Sequence, residues 1–427
     1  MIRISIFLLV ALISLASCSA SKTDPAIDKQ LYDLLENKSF FKLRTELENV
    51  KDKLSKDRLL YYQAFCDHVF DKCEQSNQHI EQLLNKHKSQ LNDTIICELL
   101  EVKAANYVRL YQYRDAADVH KQILEGYTHT LDSADAEDHV NSQNLWGAIA
   151  AVPPQRIHKD KDEKIAAYRN QFNHQMTPVK SCGIADEFIF DTGANLSTIT
   201  ESSAKKMGLT MYESEITVES STHIKVKTKL AAADSLYVGN ILFENVVFLV
   251  APDEQLSFPT LDYYISGIIG FPVIHQMEEV RLQKDGSIVV PQKAEDKSFQ
   301  NLCLEALHPI ILAKSGSDTL LFTLDTGAKT TTLSKLYYEK YKEYVEKNGE
   351  LGKTAHGGVG GIVEVEEYEL SDFPLTIGSQ ICTLPVISVE LDEYSYNKYY
   401  EGNMGQDVMT QFNEMILNFK YMYLDFS

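Results

Sequence analysis

The chain has 427 residues, too many for one ordinary hydrophobic core, so two or three domains are expected. Hydrophobic content of 44% and charged content of 24% are typical of a soluble globular protein. A formal net charge of −20 argues against nucleic acid as a partner, because phosphate binding needs clustered Lys and Arg, and against a purely electrostatic hold on anionic lipid.

The first segment, "MIRISIFLLVALISLASC", has one basic residue, Arg3, then an apolar run from Ile4 to Ile13, then small residues before Cys18. That order reads as a signal peptide over residues 1–17. The run is shorter than the ~20 apolar residues of a spanning helix. Leu15-Ala16-Ser17-Cys18 resembles the lipobox of bacterial lipoproteins. The resemblance implies lipidation of Cys18, a tether over 18–25, and an exported protein anchored to a bacterial membrane, the outer membrane on its periplasmic or surface face. Contact with the membrane is then through the N-terminal lipid only. Plain secretion with an incidental cysteine is the alternative. The other six cysteines are widely spaced, with no CxxC, and read mostly as buried small hydrophobes. The 12 histidines fall in no ligand spacing, so neither metal nor cofactor is expected.

Residues 26–130 read as helix. "QLYDLLENKSFFKLRTELENVKDKL" places Leu31, Leu34, Leu35, Phe40, Leu43 and Leu47 at helical spacings. The stretches from Tyr61 and Glu101 align at an offset of 40, each with a central alanine, Ala64 or Ala104, a polar break and a second helix. Helix-turn-helix units of this size resemble tetratricopeptide-type repeats; an irregular helical bundle is the alternative. Either offers a surface for a protein partner. Residues 131–164 read as a linker and docking segment. "LDSADAEDHVNSQ" is acidic and aperiodic, so it is expected to be loop, and Trp146 before Pro153-Pro154 is expected to anchor one domain on another.

From about Ile165 the apolar runs become short, β-branched and separated by Gly, Asn and Asp, an all-β signature. Two lobes are expected, 165–297 and 298–427. "FIFDTGANLST" from Phe188 returns as "LFTLDTGAKTT" from Leu321, with the two aspartates 325 − 191 = 134 residues apart. One Asp-Thr-Gly would arise by chance in about one such chain in ten; two in matching surroundings would not. The surroundings match through five elements. "VESSTHIKVKTKL" pairs with "AHGGVGGIVEVEEYEL", and "LYVGNILFENVVFLV" with "FPLTIGSQICTLPVISV". "ISGIIGFPVI" pairs with "EGNMGQDVMTQF", and "VRLQKDGSIVV", with a two-residue turn at Asp285-Gly286, pairs with "MILNFKYMYLDF". This is a duplicated β domain.

The pattern resembles pepsin/retropepsin-type aspartic proteases over about residues 165–427. The expected fold is therefore multidomain: an all-α, helical-repeat-like N-terminal domain followed by an all-β bilobal acid-protease domain of double-psi barrel-like form. Lobe 2 departs from the pattern where Asn403-Met404 stands for two apolar residues before Gly405. The implied activity is aspartic endopeptidase, with Asp191 and Asp325 as the catalytic pair and an extended peptide or protein as substrate. Two carboxylates about 3 Å apart cannot both ionise, so they share a proton and activate a water. The resemblance gives Thr192 and Thr326 the role of locking the loops across the lobe interface, while Gly193 and Gly327 let the backbone approach the pair. Ser220, Ser221 and Thr222 on one hairpin, and Gly358, Val359 and Gly360 on the other, are the expected substrate-covering flaps. Ala194 and Ala328 stand where pepsin-like enzymes usually carry a hydroxyl. Losing that donor raises the pair's apparent pKa values, so an optimum at mildly acidic to neutral pH is expected. A monomer suffices, since one chain holds both halves. The competing reading from another class is a lipoprotein that binds peptides or proteins without cutting them.

Overall fold

A computed structural model of the protein describes residues 23–219, 225–358, 361–392 and 398–427. Seven helices come first: α1 (Pro25–Glu36), α2 (Phe40–Val50), α3 (Lys56–Val69), α4 (Cys73–Lys86), α5 (Asp93–Arg109), α6 (Tyr113–Gly126) and α7 (Ser133–Ala148). The offset of 40 seen in the sequence is structural. Helices α4 and α6 begin at 73 and 113, end at 86 and 126, and each follows a left-handed residue, Asp71 or Tyr111. Ala64 and Ala104 are buried at the helix crossings, where the Ala64 carbonyl accepts from Ser76 of α4. No helix among the described residues is long and apolar enough to cross a membrane.

Residues 131–143, expected as loop, are instead the start of α7. Its stability comes from sources that apolar periodicity misses. The Asp132 side chain caps the N-terminus by accepting from the amides of Ala134 and Asp135, and Ala134, Ala136 and Glu137 in the first turns are good helix formers. Its far end docks: Trp146 stacks on Tyr113 with ring centroids 5.7 Å apart and packs in a cluster with Leu196, Ile216, Leu230 and Val247 of the β region. Midway, the Asn141 carboxamide donates to the Thr217 carbonyl and accepts from its amide, both at 3.0 Å, as a neighbouring strand would.

Strands start earlier than expected, within the presumed linker: β1 (Arg156–His158) and β2 (Glu163–Ile165). Then come β3 (Tyr168–Arg169), β4 (Gln175–Ser181), β5 (Ile184–Phe190), β6 (Ser197–Thr200), α8 (Glu201–Lys206), β7 (Thr210–Glu219), β8 (Lys225–Val238), β9 (Ile241–Ala251), β10 (Ser257–Phe258), β11 (Tyr263–Tyr264), β12 (Gly267–Ile269), α9 (Phe271–Gln276), β13 (Glu279–Gln283) and β14 (Ile288–Val290). The second half repeats the order. It runs β15 (Leu302–Glu305), β16 (His308–Ser315), β17 (Asp318–Leu324), β18 (Thr332–Leu333), α10 (Lys335–Lys340), α11 (Lys342–Asn348), β19 (Glu350–Gly358), β20 (Gly361–Ile377), β21 (Gln380–Glu390), β22 (Gly402–Met404), α12 (Gln406–Met409), β23 (Glu414–Asn418) and β24 (Tyr423–Phe426).

The pairing repeats as well. In the first half β12 lies parallel to β5 and antiparallel to β6; in the second, β22 lies parallel to β17 and antiparallel to β18. A third sheet, ordered β2-β14-β13-β23-β24, joins the halves through β13 and β23, in register from Glu279 opposite Asn418 to Gln283 opposite Glu414. One hydrophobic core runs through both lobes, from Phe188 and Phe248 to Phe322 and Phe426. The hairpin between β13 and β14 turns on three residues, not the expected two. Gly286 N–H donates to the Gln283 carbonyl and Gln283 N–H to that of Ser287, with Gly286 left-handed at φ 86°.

Candidate active site

Each Asp-Thr-Gly ends a central strand. Strand β5 lies between β4 and β12, and β17 between β16 and β22, so both sides of their last residues are covered. Phe188, Ile189 and Phe190 are buried, as are Phe322, Thr323 and Leu324. That explains the unbroken apolar run before each aspartate. The chain then leaves the strand in the same way twice. Asp191 N–H donates to the Ile269 carbonyl and Asp325 N–H to that of Met404, both at 3.0 Å.

The hydroxyl-rich tails of the motif also have a use. Ser197 and Thr331, each six residues past its aspartate, accept the amides of Gly270 and Gly405 at 3.0 Å. Those glycines sit where a Cβ would press to 2.7 Å on the Ala194 carbonyl oxygen, and to 2.7 Å on the Thr330 carbonyl, so the β12 and β22 ends lie directly under the loops.

The two loops meet. Thr192 N–H donates to Thr326 Oγ1 at 2.9 Å and Thr326 N–H to Thr192 Oγ1 at 3.1 Å. Each hydroxyl donates onward to the other half, to the Leu324 carbonyl at 2.9 Å and the Phe190 carbonyl at 3.2 Å. All four bonds are buried, so breaking them leaves polar groups unpaired in the core. Above them the carboxyl groups of Asp191 and Asp325 adjoin, each lying against the glycine of the opposite loop. Asp191 Oδ1 accepts from Gly193 N–H at 2.8 Å; Asp325 Oδ1 accepts from Gly327 at 2.7 Å and Ala328 at 2.9 Å. Burial, and then the Asp325 carboxylate beside it, hold Asp191 well above the usual carboxylate range, against the pull of the Gly193 amide.

Lobe 2's departure from the apolar pattern is accommodated. Met404 is fully buried, and Asn403 accepts from the Thr323 hydroxyl at 2.7 Å. Gln406, at the position of Phe271, donates to the Thr326 carbonyl at 2.7 Å and accepts from Arg169 at 2.7 Å and Asn173 at 2.6 Å. The second loop is thus propped from the first lobe. His174 and His308 feel the Asp325 charge, although burial dominates and lowers both imidazoles. None of Arg169, Asn173, Gln406, His174 or His308 was marked by a motif.

The segments expected as flaps are the hairpins β7–β8 and β19–β20, the latter paired out to Gly358 opposite Gly361. Ser220, Ser221, Thr222, Val359 and Gly360 lie outside the described residues, as does Cys18.

A family model described as "Aspartyl protease" matches residues 177–273, from within β4 through Asp191 into α9. The match supports a hydrolase of the aspartic-protease kind in the first lobe. Among solved structures, the chain is similar to a retropepsin-like aspartic protease from Rickettsia conorii. Identity is 19% over 32% of this chain and 91% of that one, with a TM-score of 0.21, too slight a likeness to carry weight. No curated protein matches.

Proposed function

We propose that the protein is an aspartic endopeptidase whose reaction centre is the Asp191/Asp325 pair. The observation that carries the reading is the meeting of two carboxyl groups from separate halves in a buried site, one of them pushed strongly toward its protonated form. Such a pair holds one proton. The ionised carboxylate takes a proton from water as its oxygen attacks the peptide carbonyl carbon, while the protonated carboxyl donates to the carbonyl oxygen. Collapse of the tetrahedral intermediate breaks the C–N bond and delivers a proton to the leaving amine. The threonine lattice and the Gly193, Gly327 and Ala328 amides fix the carboxyls beforehand, so little reorganisation remains for the transition state.

The test is cleavage of a peptide mixture by the full chain, Asp191→Asn and Asp325→Asn. Either substitution should abolish cutting while peptide binding persists. If the wild type binds peptides and cuts none, the non-catalytic reading replaces this one. Further parts of the proposal are an extended peptide or protein substrate under the two flaps, a monomeric chain, Cys18 as a lipid anchor to a bacterial membrane, and a tetratricopeptide-like helical domain that receives a protein partner. The signal-like N-terminal segment supports the anchor, and the 40-residue helical period supports the repeat.

A further inference from the structure

Helices α5, α6 and α7 bring together a set of side chains far from the carboxyl pair. Cys97 and Glu101 sit one turn apart on α5, and His139 of α7 faces them. One ligand atom from each lies within 4.8 Å of the others. His139 Nε2 is 3.2 Å from Glu101 Oε1, and Cys97 Sγ is 3.8 Å from that oxygen. The edges of a tetrahedron around zinc with N, O and S ligands are roughly 3.3–3.7 Å, from bond lengths of about 2.0–2.3 Å. A second observation points the same way. His120 of α6 meets the opposite nitrogen of His139, Nδ1 to Nδ1 at 2.9 Å. It is an outer partner of the kind that orients a ligating imidazole. Cys97 and His139 are buried and Glu101 is exposed, so the group has one open side from which an ion could enter.

We infer that Cys97, Glu101 and His139 form a site for a zinc-class divalent ion, tying α5 to α7, with His120 as a positioning residue and the fourth coordination place left to water. Thiolate, imidazole and carboxylate together suit zinc over magnesium or calcium. Coordination displaces the Cys97 thiol proton to solvent and requires His139 to carry its proton on Nδ1, donating to His120. The ordinary alternative is a metal-free chain of hydrogen bonds in which His139 Nε2–H donates to Glu101.

The probe is Co²⁺ titrated into the full-length reduced protein, followed by absorption, with Zn²⁺ as competitor. One equivalent should give a thiolate-to-cobalt charge-transfer band and tetrahedral visible bands, both lost to Zn²⁺. Zn²⁺ should also raise the melting temperature, because only the folded chain presents the site. Cys97→Ser should lose the charge-transfer band and His139→Gln should weaken binding more than the roughly 10–100-fold expected of His120→Gln. Cys182→Ser, which removes the exposed thiol, should change nothing. Absence of a thiolate band in the wild type, or its survival in Cys97→Ser, overturns the site. The wild-type spectrum decides even if a variant fails to fold.

Discussion

A methyl group added at Gly193 would lie 2.7 Å from Cγ of Asp325, and one at Gly327 would lie 2.7 Å from Oδ2 of Asp191. Each glycine is therefore kept by the opposite half's carboxyl group. Gly193→Ala should push the pair apart and lower kcat about 100-fold, the cost of a misplacement near 1 Å, with a smaller change in KM; steady-state kinetics on a peptide substrate read this directly. Protonation gives a second prediction. In the proposed mechanism the pair works with one proton bound, and the raised pKa of Asp191 extends that state upward in pH. The pH–rate profile should accordingly peak at mildly acidic to neutral pH, and a maximum below about pH 3, as in pepsin, would contradict it. At this scale the aspartates, threonines and glycines could be read because their chemistry is local and occurs twice. Arg169 and Gln406 could not, since their contact crosses 237 positions and neither residue type is unusual in a loop.

Among the helices, α7 was misread. It has no continuous apolar stripe: Val140 is exposed, while His139, Leu145 and Trp146 are its buried residues. Capping and propensity make the helix, and tertiary contacts use it. Trp146→Ala should cost about 3–5 kcal/mol, the usual range for deleting a large buried aromatic, as measured by chemical denaturation. A loss under about 1 kcal/mol would show that the helical region does not lean on this ring. The β elements were easier to find, because alternation and turn residues mark a strand wherever it lies. What alternation does not give is the partner, so the sheet uniting β2, β14, β13, β23 and β24 was not foreseen. The proposed cation-ligand set was likewise hidden, because His139 lies on α7, 38 residues beyond Glu101, at no recognised ligand interval.

The whole molecule's stability should carry the mark of the buried pair. A carboxyl whose folded pKa is raised contributes stability below its unfolded pKa and loses it as pH rises through the folded value. Asp191→Asn removes that loss. The variant should melt with the wild type near pH 4 and above it at about pH 8, the gap widening with pH; a constant gap would refute the assignment. The offset of 134 made the twofold plan of the β region legible. The seating of the helices did not show in the sequence. They touch both halves: Trp146 against the first, and the α1–α5 core, with Leu31 and Tyr62, against Cys303, Ile310 and Tyr400 of the second.

The strand from Tyr423 to Phe426 pairs with β23, and β23 with β13, so the sheet that joins the two lobes needs strands from both halves of the β region. Synthesis at about 5–20 residues per second puts roughly 7–27 s between the making of Asp191 and that of Asp325. During that interval a nascent molecule carries one carboxyl of the pair without the other. The hydrolysis proposed above therefore has to wait until both halves are made and paired.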